Sequence, residues 1–153
     1  MRGQEARDQA ERKAVMATLA QASGEDIARL WDGAGLTSEA ELLRGPETGL
    51  VTVRGRIGGG GAPFNVGEAT VTRATVRLAS GQVGHSYALG RDRQKAKLAA
   101  IADALWQDPA HRQTVETALV APLRAAQSDA REKRRAETAA TKVDFFTMVR
   151  GED

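Results

Sequence analysis

Five arginines are the side chains of this chain whose type and spacing point most directly to chemistry. Arg54 and Arg56 alternate with Val51, Val53, Gly55 and Ile57. Arg73 and Arg77 alternate with Ala74, Val76 and Leu78, and Arg91 stands in a Gly90-Arg91-Asp92 turn. Successive side chains of a strand point to opposite faces, so the first pair shares one face of one strand and the second pair one face of another. A guanidinium fork matches phosphate or phosphonate oxygens and keeps its charge at physiological pH. The five are therefore candidate phosphate or nucleotide contacts; the plain alternative is a solvated basic strand face. The glycines at 58–61 invite a phosphate-loop reading. A loop of that kind opens a helix and usually carries a Lys. Here Pro63 and Phe64 follow, which favours a hairpin loop.

Composition closes other routes. The 153 residues include no cysteine, which removes disulfides, iron–sulfur ligation and a thiol nucleophile. His85 and His111 lie far apart, and no ligand spacing suggests zinc. No metal and no catalytic residue is assigned, and His85 is read as an ordinary strand histidine. Twenty-two basic side chains against 20 acidic ones leave a net charge of +2, too even for a general nucleic-acid binder. The N-terminal stretch is charged and lacks the apolar centre of a secretory signal. No run approaches the roughly 18 apolar residues of a spanning helix. A cytoplasmic protein without nucleic-acid or membrane contact is expected.

The elements that must hold the arginines follow from hydrophobic period. Val15, Met16 and Leu19 predict a helix over residues 8–22. Ser23 is a natural N-cap for a second helix on Ile27, Leu30 and Trp31, stopped by Gly33 and Gly35. Residues 38–44 suit a short edge strand or a turn ended by Pro46, and residues 47–49 a tight turn. Strands are predicted at 50–57, 68–78 and 83–89. Val51, Val53 and Ile57 are expected against the core, with Arg54 and Arg56 turned away. A bulge is expected near Thr72, because Val71 falls out of phase with Ala74.

A helix should start at Asp92 and carry Leu98, Ile101 and Leu105. Asp108-Pro109 breaks it, and a short helix follows on Val115, Leu119 and Val120. A helix over about 123–141 has only alanines, such as Ala126 and Ala130, on its apolar face. The expected fold is α+β: an N-terminal helical hairpin, a central antiparallel sheet of about four strands, C-terminal helices and an extended apolar tail. Residues 8–153 form one domain and residues 1–7 a disordered N-terminus. Val143, Phe145, Phe146, Met148, Val149 and Arg150 make the tail a candidate partner interface, with 123–153 as a docking arm.

Four segments carry a resemblance. They are Glu-Thr-Gly-Leu-Val at 47–51, Gly-Glu-Ala-Thr-Val-Thr-Arg-Ala-Thr-Val-Arg-Leu at 67–78, Gly-Arg-Asp-Arg-Gln-Lys-Ala at 90–96, and Val-Asp-Phe-Phe-Thr-Met-Val-Arg-Gly at 143–151. Together they resemble the PhnG family, the small G subunit of the bacterial carbon–phosphorus lyase system, over roughly residues 10–152. The resemblance implies use of phosphonates as a phosphorus source. It implies a core complex with H, I and J subunits. With the H, I and L proteins, that complex transfers the ribose triphosphate of ATP to an alkylphosphonate such as methylphosphonate and releases adenine. The family places the iron–sulfur cluster and S-adenosylmethionine in the J subunit, so this chain would hold no cofactor. It assigns no catalytic residue to this subunit. Two other readings stay open: a free-standing module that binds a phosphorylated small molecule, and a nucleic-acid-binding domain.

Overall fold

Two of the helix starts fall where a short polar side chain can satisfy orphan amide groups. Ser23 accepts from the Asp26 N–H at 3.0 Å and opens α2 (Gly24–Ala34). Asp92 accepts from the Lys95 N–H at 2.8 Å and opens α3 (Arg93–Gln107). Gly35 ends α2 at φ 60°, the left-handed conformation glycine adopts without strain. The structure, a computed structural model, describes residues 2–37 and 39–141. Helix α1 (Arg2–Gln21) precedes α2. Strands β1 (Glu41–Arg56), β2 (Pro63–Arg77) and β3 (Val83–Leu89) form an antiparallel sheet in the order β1-β2-β3. After α3 come α4 (Arg112–Val115), a π-helical segment (Glu116–Val120) and α5 (Ala121–Ala140). Pro122 has no N–H to offer the helix ladder, and the wider turn before it absorbs the mismatch: the Ala121 N–H reaches back to the Glu116 carbonyl.

The helices cover one face of the sheet. On β3 that face is Gly84, Ser86 and Ala88, all buried and all small. On β2 it includes Ala74 and Val76. Alanine-rich α3 lies so close that a Cβ at Gly84 would meet the backbone of Ala100 and Ala104. Ser86 Oγ donates to the Ala96 carbonyl at 2.6 Å. Val15 and Leu19 from α1, Ile27 and Trp31 from α2, and Leu119 and Val120 close the same core. Each large apolar side chain buried there contributes roughly 1.5–3 kcal/mol.

Several expectations change. Among the described residues the antiparallel sheet has three strands where about four were expected, because the stretch read as an edge strand, a proline stop and a turn is all one strand. Pro46 is accommodated within the second of two register shifts of β1, at Leu42/Arg44 and Arg44/Glu47, and residues 47–49 pair with β2. An edge strand tolerates proline, since one side of it needs no donor. Helix α1 starts at Arg2, within the stretch set apart as an N-terminus, and Gln4 donates to Asp8 at 3.2 Å across its first turns. Gly33 lies inside α2, so Gly35 alone stops it. No register shift occurs at Thr72; a third shift lies between Val53 and Arg54, where Val66 of β2 is the extra residue. Val71 is out of phase because it is buried on the opposite face of the sheet from Ala74.

Candidate functional site

β3 pairs with β2 only over Val71–Arg77. Beyond it, β1 and β2 continue alone as a two-stranded ribbon, with β2 residues 63–70 paired to β1. At ~3.4 Å per residue the ribbon is about 27 Å long. Its tip is the turn Ile57–Gly59, where Gly58 and Gly59 have φ of 61° and 76°. Arg56 Nη1 holds the turn by donating to the Gly61 carbonyl at 3.0 Å.

Cross-strand partners share a face, so the register sorts the arginines. Arg73 and Arg77 lie on the outer face, away from the helices. Arg73 Nε donates to Glu47 Oε1 at 2.6 Å and Arg77 Nη2 to Glu41 Oε2 at 2.7 Å. Both arginines are half exposed, and such pairs contribute only ~0.2–1 kcal/mol each. Arg54 and Arg56 continue the opposite, helix-facing side, beyond the reach of the helices. Both are exposed. Arg91 is exposed at the β3–α3 turn. Among the described residues, neither Arg54 nor Arg91 takes part in an ion pair. The five therefore do not form one basic face: two are spent inside the sheet, two lie on the ribbon and one stands at a helix start.

The apolar alternation of β1 is real, but its face is not the core face. Val51 shares the outer side with Val53 and lies only part-buried; Val53 is 43% and Ile57 76% exposed. The reason is reach: β3 pairs with β2 only as far as Val71, and among the described residues most of the ribbon beyond it is exposed on both sides. Sequence reasoning missed the rest of this surface. Phe64 (45%), Val66 (60%), Tyr87 (51%) and Leu89 (73%) extend it along the outer face. The available signal was in β3, where small Gly84, Ser86 and Ala88 mark the helix side and so assign His85, Tyr87 and Leu89 to the outside. Val71 floors a shallow recess of about 250 Å3 between Glu47, Arg73 and Tyr87.

The groups with perturbed acidity lie elsewhere. The Arg12 guanidinium is held charged above its ordinary value, chiefly by its hydrogen bonds to Asp103. Burial pushes Lys95 down while its ammonium donates to the Ala20 carbonyl at 2.8 Å. His111 is the main cause that holds the Asp108 carboxyl below its ordinary value, helped by the Ala110 N–H. The first two tie α1 to α3 and the third closes the turn after α3; they do not converge on one site. Among the described residues no set of three His, Asp or Glu side chains is placed to hold a metal ion. Residues 143–150, read as a partner interface, lie outside the described residues.

Comparison with known proteins bears on what such a surface serves. The family model described as phosphonate metabolism protein PhnG matches residues 10–151. The alpha-D-ribose 1-methylphosphonate 5-triphosphate synthase subunit PhnG of Rhizobium meliloti (strain 1021) is 58% identical over 145 residues. That alignment spans 94% of this chain and 92% of the relative.

Proposed function

Because the chain belongs to the PhnG family of phosphonate metabolism proteins, we propose that it is an accessory subunit of a nucleotide-dependent phosphonate transferase. The assembly transfers the ribose triphosphate of ATP to methylphosphonate and releases adenine. The carrying observation is the 58% identity, over nearly the whole of both chains, with a subunit named for that synthase. The geometry supports an accessory role. The ribbon presents Val53, Phe64 and Val66 to the outside, the kind of apolar surface a subunit uses to dock on others.

The partners in this reading are the H, I, J and L proteins of the carbon–phosphorus lyase system, in the cytoplasm where ATP is available. The iron–sulfur cluster and S-adenosylmethionine belong to the J subunit; a chain without cysteine is unsuited to such a cluster. Arg54, Arg56 and Arg91 are the cations this reading gives to substrate phosphates, since Arg73 and Arg77 already meet glutamates. The tail at Val143, Phe145, Phe146, Met148, Val149 and Arg150 is a second docking surface.

The test is reconstitution. A tagged chain is co-expressed with the H, I, J and L proteins, and adenine release from ATP and methylphosphonate is followed with and without it. The reading expects the partners to co-purify and release to fall by at least about tenfold, roughly 1.4 kcal/mol, when the chain is omitted. Failure of the partners to co-purify, or unchanged release without the chain, overturns it.

A further inference from the structure

Among the described residues the ribbon leaves two kinds of surface unsatisfied at once, an apolar face and a strand edge. Edge strands invite pairing with another chain, and proteins blunt them with proline, bulges and charge. The two halves of β1 differ in this respect. The first half carries Pro46, two register shifts and the charged Glu41, Arg44 and Glu47. The stretch at 48–53 runs in unbroken register with β2, has no proline and no charge, and is built from Thr, Gly, Leu and Val. Beside it the outer face presents Val51, Val53, Phe64 and Val66, again without charge, continued by Leu89.

Size decides how a partner must use this surface. One face of a two-stranded ribbon about 27 Å long and ~10 Å wide offers about 270 Å2. A stable complex buries about 800 Å2 on each side. A partner lying flat on the outer face falls short by about threefold. One that engages face and edges together approaches what is needed.

Resting on the subunit reading above, we infer that the ribbon is inserted into a partner subunit of the synthase. An extended segment of that subunit pairs along the β1 edge at 48–53. The chemistry of that segment follows from the two faces it would join. On the outer side its side chains are apolar and uncharged, to match Val51 and Val53. On the other side they are not basic, because Arg54 and Arg56 stand there against the single acid Glu68. This is strand addition: backbone hydrogen bonds supply affinity, and the alternating side chains supply selection.

Amide hydrogen exchange tests the pairing. In the isolated chain, alternate amides of residues 48–53 face the free edge and should exchange fast, while those bonded to β2 are protected. In the complex assembled by co-expression, the fast set should slow by about 100-fold or more, as expected for amides that enter a stable ladder. A companion variant, Val53→Asp with Val66→Asp, changes two exposed side chains. It should leave the melt of the isolated chain unchanged and cut partner capture by at least about tenfold. If the complex forms but the edge amides stay fast, strand addition is wrong and the subunit reading stands. If they are already slow in the isolated chain, and more so at higher concentration, a second copy occupies the edge and the inference fails. If no complex forms, both fail.

Discussion

Asp103 has no exposed surface, yet it sits on α3 among alanines and leucines. Arg12 of α1 meets it with a two-pronged contact, Nε at 2.8 Å and Nη2 at 2.7 Å, and the His85 N–H of β3 donates to it at 2.8 Å. One carboxylate thus joins three elements. Replacing Arg12 with Ala strands a buried acid. The expected loss is about 3 kcal/mol, the low end for a broken buried pair, because Arg12 is itself partly open to water. A urea melt checks this as a lower midpoint with an unchanged slope. Asp108 supplies a pH signature. Its carboxyl is held below the ordinary 3.8, so its contribution is fully present above that pH and is lost as pH falls through the lower folded value. Asp108→Asn should therefore be less stable than the parent above pH 3.8, and the difference should close as pH falls through the lower folded value. Melts across that range that stay parallel would refute it. Legibility at this scale follows distance along the chain. The Ser23 and Asp92 caps answer to amides three residues away and were readable. The partners Arg12 and Asp103 lie 91 residues apart, and no local pattern joins them.

Among the elements, β3 and α3 are fitted by subtraction: Gly84, Ser86 and Ala88 face a helix of alanines. Gly84→Ala would press a methyl group onto the Ala100 and Ala104 backbone, which has no flexible end to yield. The expected cost is about 1–3 kcal/mol from overpacking, a fall of several degrees in Tm. At the ribbon tip the contrast is with strain, not space. Gly59→Ala should cost about 1–2 kcal/mol for its left-handed φ of 76°, while Gly60→Ala, at φ −118°, should be close to neutral. Equal melts for both would show that the tip gives way without penalty. The elements themselves were largely legible: β3 and the starts of α2 and α3 fall where period and caps put them. The facing of β1 was not. Alternation shows that one side is apolar, but the side the helices reach depends on where β3 stops, and that is a property of another strand.

At the scale of the whole molecule, the helical layer and the covered half of the sheet make a closed core, and the ribbon extends away from it. If Phe145 and Phe146 dock on a partner, as proposed, Phe145→Ala with Phe146→Ala should weaken assembly by several kcal/mol and leave the melt of the isolated chain unchanged. A pull-down beside a thermal melt decides it: full partner binding with a lowered Tm would put those rings in the chain's own core. The family and the α+β plan were legible from short motifs spread along the chain. The exposed ribbon face was not, because a strand sequence is written the same way for a core and for an interface. The division of the molecule also has an optical consequence. Both tryptophans, Trp31 and Trp106, are buried in the helical layer, whereas the one tyrosine, Tyr87, stands half exposed on the outer face of the sheet. Indole emission therefore reports the core and is silent on the ribbon; phenol absorbance is the chain's native probe of whatever closes over the outer face.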